Sequence, residues 1–536
     1  MTGRSTTFGD ESAGFFLRLG DLAREIKAGL TGGGIAPFAG VAPRLPVLTT
    51  GNPAIAQRLY RGIFAFAGDS IESQPTEIFT AAPPSAAWSD ELLGFTWLAH
   101  LEATGLALHR AFARNLISRW AAQRRRTSLH ASCRRLMSLS RHAGFLLGDA
   151  SEHFESRFLR LMTQEARSLA NLRPRGTHDR LRQSIALLTV GLAFRGGALR
   201  NEALSRTASL LTSFILPDGG PLDRSPKTLL DLLLDLVPLR GAMEAQRIAI
   251  PYGLNAALER AVPMLRMLSH GDDGLAVFHG VERMSAPAVK AVFEHDAVRG
   301  QPLAHAAHSG YCRMTHGQSV VIADCGSPSI CESPLAFEFS HGAQRIVGSC
   351  GVPANASPAW QAAARSPAAH STLQVDDGDI QPNSVTAELV ESPHGKLMKA
   401  CSAFRRLIHA REFFLASDGH DLRGEDRIES LDPNTPALNF TIRFHLHPAV
   451  KASANRKGAA IILLLPNKEA WQFAARGGVM TLEESIYLAG SGPRHSQQIV
   501  IRGTTEMTDR INWAFRKIER QARHSETAEA SPRLPF

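Results

Sequence analysis

Around Gly271-Asp272-Asp273-Gly274 the spacing of apolar residues changes period, and no single regular architecture can satisfy the chain on both sides of that point. Upstream the apolar residues keep helical spacing. Leu181, Ile185, Leu188 and Leu192 fall at i, i+4, i+7 and i+11, one face of a 3.6-residue period. Downstream they alternate: Leu335, Phe337 and Phe339 sit at every second position, His341-Gly342 can turn the chain, and Arg345-Ile346-Val347 returns. The stretch Cys331 to Thr372 carries the most telling polar residues of this seam, Arg365, Ser366 and His370.

The helical pattern predicts elements over Asp90 to Gln123 (one helix or two), Ser128 to Leu147, Glu152 to Leu172, His178 to Phe194, Ala198 to Ile215, Ser225 to Ala245 and Pro251 to Ser269. Short polar links between successive helices favour stacked antiparallel hairpins, a toroid or an α-solenoid and not a four-helix bundle. From about Gly310 onward short alternating segments follow one another at the spacing of a β-sandwich, among them Ser319 to Asp324, Gln344 to Ser349, Phe404 to Ala410, Phe440 to His447 and Gln498 to Arg502. The chain therefore divides into an N-terminal wrap (1–90), a helical domain (91–300), an antiparallel β domain (301–518) and a disordered tail (519–536) whose Arg, Ser, Glu, Ala and Pro show no period.

With 536 residues, 44% of them hydrophobic and 20% charged, the composition is that of folded multidomain protein. A formal charge of +9 favours a polyanionic partner, acidic polysaccharide before nucleic acid, because no aromatic-basic stacking motif accompanies it. The Arg124-Arg125-Arg126 run reads equally as a solvated helix face. Six cysteines lack zinc-ligand spacing, and Gly32-Gly33-Gly34 lacks the Lys-Ser/Thr that completes a phosphate loop. The longest apolar run, Ala459 to Pro466, is too short to span a bilayer, and the first residues do not read as an export signal.

The order of helices then sheet, with LAFEFSHGAQRIV followed by ARSPAAHSTLQVDD, resembles the heparinase II/III family of polysaccharide lyases. PDGG at Pro217 to Gly220, HSGYCRM at His308 to Met314, LRGEDRI at Leu422 to Ile428, RFHLHP at Arg443 to Pro448 and LEESIYL at Leu482 to Leu488 extend the match over most of the chain, which is similar to the shorter, leaderless bacterial members. The resemblance implies an α + β multidomain fold, an N-terminal α/α toroid followed by a C-terminal antiparallel β-sandwich. It also implies β-elimination on a uronate-containing glycan. There a base removes the proton beside the carboxylate, an acid protonates the leaving oxygen, and donors neutralise the carboxylate.

Carried over by position, the family's Asn-His pair falls on Thr177-His178, its tyrosine on or near Thr228, and its sheet-domain histidine on Cys331. In metal-binding members an Asp and the His of an AHNT-like motif contribute; here these are Ser349 and His370, so no metal and no cofactor is expected. The resemblance also points to the cell envelope, whereas the start of the chain reads as cytoplasmic.

The candidate catalytic residues are thus His178 and His370, and the candidate substrate-binding residues Arg365, Arg224, His445 and His447. Each has a plainer reading. His178 could cap its helix or face solvent, and His370 could hold a loop while Arg365 clamps a carboxylate with its planar fork. Arg224 could meet an anionic substrate or lie on the surface. His445 and His447 point to one face of a strand, which suits a metal pair or, better, a polar seam between domains. Cys331 fits a small apolar filler better than a nucleophile. The sequence leads to a polysaccharide lyase, with a catalytically degenerate glycan-binding or scaffold protein of the same fold as the alternative.

Overall fold

The computed structural model describes residues 35–123, 127–196, 198–280, 286–295, 300–352, 357–375, 384–404, 407–431, 436–455, 459–489 and 492–519. The tail, the triple glycine and the Arg124-Arg126 run lie outside the described residues, apart from Glu519.

Helices dominate from Pro53 to His295. Five expected ones form within a residue or two of their predicted bounds, among them Glu152–Asn171, Thr177–Ala193 and Pro226–Ala245. Their starts are written locally: Ser128, Ser151 and Ser225 each accept a hydrogen bond from the backbone N–H three residues on, and Pro226 occupies a first-turn position that needs no N–H. Asp90 to Gln123 is instead cut into Ala86–Gly94, Leu98–Glu102 and Ala107–Gln123, the first ending at Phe95 in the left-handed region. A two-stranded hairpin, Ile63–Phe66 with Asp69–Glu72, interrupts the N-terminal segment, and the helices Ala286–His295 and Pro358–Arg365 add to the expected set.

Thr177–Ala193 is buried on every side from Gln183 onward, not along one stripe. Its polar residues are satisfied internally: Ser184 Oγ lies 2.8 Å from Thr207 Oγ1, and Gln183 donates to Leu169 O at 2.7 Å. Neighbouring helices therefore enclose it.

Among the described residues the C-terminal half forms two antiparallel sheets. One runs in spatial order Lys451–Ala454, Ile461–Leu464, Ala470–Arg476, Arg510–Ile518, Asp421–Ser430, Leu407–Ala416, Gly395–Ala403, Ser384–Ser392. The other runs Val479–Tyr487, Arg494–Thr504, Asn439–Leu446, Gln344–Gly348, Phe337–His341, Ser319–Asp324, Tyr311–His316, His305–Ala306, with Leu373–Val375 also paired to Asn439–Leu446. Phe337, Phe339 and Val321 of the second sheet share one apolar core with Phe413, Trp471, Trp513 and Phe515 of the first.

The opposite face of the second sheet packs on the helices, so Tyr311, Val320, Ile322 and Ala336 belong to the helical core. Ser319–Asp324 and Phe337–His341 are consequently buried at every position. The predicted alternation over Leu335 to Ser340 is real in direction but not in exposure. Leu335 itself precedes the strand with a φ of 57°.

Candidate functional site

Three helices begin together on the sheet-facing end of the helical domain, Leu129–Arg141, Thr177–Ala193 and Pro226–Ala245, and the second residue of each is a base or a cation: His130, His178 and Lys227. Helix starts carry partial positive charge, which adds to theirs. His178 is half-buried against the Phe214 ring. Arg182, one turn on, approaches its Nε2 at 3.2 Å, and a guanidinium can only donate, so Nε2 accepts and the ring proton sits on Nδ1, 3.7 Å from Asp223 Oδ2. Burial and then Arg182 lower the imidazole's affinity for a second proton, against the pull of Asp223. Asp223 also accepts from Thr228 Oγ1 at 2.8 Å and from the Ser225 N–H. Thr228 therefore orients a carboxylate.

His130 is pushed down to about 4 by burial, then by Arg182 and Arg134. Lys227 pairs with Asp231 at 2.7 Å. His130, Arg182, Asp223 and Lys227 were not singled out from sequence. Their shared signal is position, one turn or less from a helix start, which acquires meaning only once three starts are known to meet.

Arg224 lies in the buried seam between helices and sheets, neither at an open cleft nor on the surface as the sequence suggested. Its guanidinium contacts the Asp324 carboxylate and the Ser327 carbonyl, and Nε donates to Ser309 O at 2.7 Å. Its φ of 60° and the hydrogen bond from Tyr311 Oη to its own carbonyl, 2.6 Å, fix the backbone that aims it there. A side chain at Gly326 would run into the guanidinium. Burial would raise the Asp324 carboxyl, but Arg224 and His279 overrule it and take it down to about 2.

His279, a residue the sequence reading missed, places Nε2 2.7 Å from Asp324 Oδ2 and accepts the Cys331 N–H on Nδ1 at 3.2 Å. Both of its ring nitrogens thus face protein groups. The Cys331 thiol is buried and pushed up to about 11, so it is protonated at neutral pH.

Arg365 ends the helix Pro358–Arg365, exposed, its carbonyl tied to the Glu332 N–H at 2.9 Å and its charge bearing on Cys331. His370 is buried at 2% exposure, its Nδ1 3.0 Å from Ser349 Oγ, and burial takes it down to about 4. His445 is buried too, between Ser485 Oγ at 2.9 Å and Ala368 O at 3.0 Å, and lies at about 3. His447 packs on the Tyr487 ring at about 4, again through burial. His445 and His447 line one small cavity with Glu338, Arg345, Cys350 and Tyr487. The structure thus gathers His178 with Asp223, places Arg365 beside the Cys331 loop, and separates His370 and His445 from solvent, with His447 half-buried. Ser349 and His370 bond each other, and no three metal-ligating side chains converge among the described residues.

A helical domain whose sheet-facing end meets the buried face of a two-sheet antiparallel domain is the architecture of heparinase-type polysaccharide lyases. Heparinase III superposes with a TM-score of 0.67 at 13% identity, over 82% of this chain and 79% of that one. A heparan sulfate lyase HepC mutant from Pedobacter heparinus gives 0.61 at 13% identity over 88% and 83%. Residues 298–514 match the family described as heparinase II/III-like, C-terminal. Among named relatives, FtsZ-localized protein C of Caulobacter vibrioides is 29% identical over 517 residues, 87% of this chain and 88% of that protein.

Proposed function

We propose that the protein binds an acidic glycan at the end of its helical domain without cleaving it, the helices forming an α/α toroid that holds the ligand against the sheets. The observation that carries this reading is the occupied imidazole of His178: Nε2, the nitrogen that would take a proton, already accepts from Arg182. None of the four tyrosines stands in for it, since Tyr311 and Tyr487 are buried, Tyr60 packs on His109 and Phe112, and Tyr252 opens the helix that follows Pro226–Ala245. His178 and the cations Arg182, Lys227 and Arg365 are the glycan contacts of this reading, while Arg224, His370, His445 and His447 hold the scaffold.

The test is incubation with heparin, chondroitin sulfate, alginate and polygalacturonate, following ultraviolet absorbance of the unsaturated sugar that elimination creates. The expected result is no absorbance gain, with retention on at least one immobilised glycan that His178→Ala and Arg182→Ala weaken about tenfold. Absorbance that grows in the wild type and vanishes in His178→Ala would establish a lyase instead.

A second reading is favoured by the relative named for its localisation with FtsZ, matched across nearly the whole chain. In it the protein serves as a scaffold that localises with FtsZ. Co-sedimentation with FtsZ polymers tests it directly, and a protein that stays in the supernatant at every salt concentration would remove it.

A further inference from the structure

The small cavity beside Glu338 and Arg345 encloses about 300 Å³ and is open to solvent on one side. Val277, Val347, Leu446 and Ile486 give it apolar walls. Two hydroxyls line it, those of Tyr487 and Ser496, on residues only 7% and 5% exposed. Neither hydroxyl has a hydrogen-bond partner among the described residues. A polar group this deeply placed and unpaired costs free energy, which an acceptor on a bound molecule would remove. Strand register sets their arrangement: Tyr487 stands directly opposite Arg494, and Ser485 opposite Ser496. Residues two apart on a strand share a face, so Arg494 and Ser496 project to the same side as Tyr487. Ser485 is already committed to His445, and the His447 ring packs edge-on against Tyr487 and holds the phenol in place.

Arg345, Arg494, Asp272 and Glu338 all bear electrostatically on Tyr487. Asp272 offsets Arg345 through a two-pronged ion pair, and Glu338, raised to about 7 by burial, takes up a proton near neutrality. Arg494 is the charge left over. It is exposed, lies 5.1 Å over the Tyr487 ring and makes no ion pair among the described residues. The free groups are thus donors beside a surplus cation, set against apolar walls. That combination suits a carboxylate with a short apolar tail, whereas a tetrahedral oxyanion would press charged oxygens against Val277 and Ile486. We propose that this cavity is a binding site for a small aliphatic carboxylate, whose oxygens accept from Tyr487 and Ser496 while Arg494 faces its charge. The site shares no residue with the His178 group, so its occupant is a second ligand and not the glycan.

The experiment titrates the full chain with sodium propionate, acetate, phosphate and sulfate by isothermal calorimetry at constant ionic strength and about pH 6, where Glu338 is protonated. Propionate should bind saturably, one per chain, with acetate weaker and the two tetrahedral anions weaker still. Tyr487→Phe and Ser496→Ala should each weaken propionate about tenfold or more, the worth of one hydrogen bond to a charged acceptor. Arg494→Gln, a change at an exposed residue, should weaken it as much with an unchanged melting temperature. None of the three should alter retention on immobilised glycan. Absence of saturable heat with both propionate and acetate overturns the site, and phosphate or sulfate bound more tightly than propionate overturns the ligand class. Propionate affinity that survives all three substitutions overturns the location. If Tyr487→Phe or Ser496→Ala lowers the melting temperature, Arg494→Gln decides alone, and unchanged affinity there overturns the proposal. Glycan retention lost together with propionate binding would make the cavity part of the glycan site and overturn the second ligand.

Discussion

Across the seam between helices and sheets, Nε2 of His270 lies 3.0 Å from Oε2 of Glu338, with both side chains closed off from solvent. The other imidazole nitrogen meets Ser340 Oγ at 2.8 Å, and Oε1 accepts the Val277 N–H at 2.7 Å. Arg345 stands 3.5 Å from the carboxylate, but its fork is committed to Asp272 at 2.9 and 3.0 Å and to the Leu275 carbonyl. Burial raises Glu338 from 4.5 to about 7 and, with Arg345 and Arg313, drives His270 well below its usual 6.5.

The two groups act on stability in opposite senses. Between pH 4.5 and 7 the folded Glu338 holds a proton that the unfolded chain has released, so its contribution falls as pH rises through that window. Below pH 6.5 the unfolded His270 takes a proton that the folded one refuses, so its contribution falls as pH drops. Over about pH 4.5 to 6.5 the two offset each other. Glu338→Gln should therefore make the protein lose stability toward acid relative to wild type. His270→Gln should make it lose stability toward neutral pH, with a full swing of order 3 kcal/mol, because each tenfold difference in proton affinity between folded and unfolded chain is worth about 1.4 kcal/mol. Urea denaturation at several pH values reads both, and parallel curves for the three proteins would refute the coupling.

Asp426 should be the costliest single carboxylate to remove. It receives His409 Nε2 at 2.7 Å, Arg411 Nε at 2.6 Å and Trp513 Nε1 at 2.8 Å in a site without solvent. Arg411 in turn donates to the carbonyls of Leu335 and Ser371, pinning both ends of the Cys331–Thr372 stretch. Asp426→Ala strands a buried guanidinium and should destabilise by about 3–5 kcal/mol in urea. A loss under about 1 kcal/mol would mean that water reaches Arg411.

What could be read from the sequence was whatever depends on neighbours along the chain. The helix that carries Leu181, Ile185, Leu188 and Leu192 forms, although it is buried all round and not along that one face. The Ser225-Pro226 helix start and the Phe337-Phe339 alternation in direction survive folding. What could not be read depends on partners far away. Arg224 looked like a residue open to ligand because Asp324 lies 100 positions on. His279 carried no local signal and becomes relevant only through Cys331. The full burial of Ser319–Asp324 required knowing that helices cover the second face of the sheet. The hairpin Ser384–Ser392 with Gly395–Ala403 escaped notice because its Ala, Glu and Lys weaken the strand signal.

Thiol chemistry should single out one cysteine. Cys401 is exposed, while the other five are buried, and burial pushes Cys133, Cys331 and Cys350 to about 12, 11 and 12. A thiolate-dependent reagent such as DTNB at pH 8 should modify about one thiol in the native protein and six in denaturant. Cys401→Ser should abolish the native reaction. Labelling of Cys331 in native protein would instead mean that the loop beside Arg365 opens.

The seam itself can be tested at Arg224. Removing its side chain leaves Asp324 buried without its guanidinium partner and frees the Ser309 and Ser327 carbonyls. Arg224→Ala should cost about 3–5 kcal/mol, because an unpaired buried carboxylate is penalised more than the pair is rewarded. The loss should fall on the joint between the domains, so denaturation that is a single transition in the wild type should separate into two, one followed by far-ultraviolet helix signal and one by sheet signal. Replacing both partners, Arg224→Met with Asp324→Leu, removes charge and countercharge together and should recover at least half of that stability. A double variant as unstable as Arg224→Ala would show that the carbonyl contacts of the guanidinium, and not its ion pair, join the two halves of the chain.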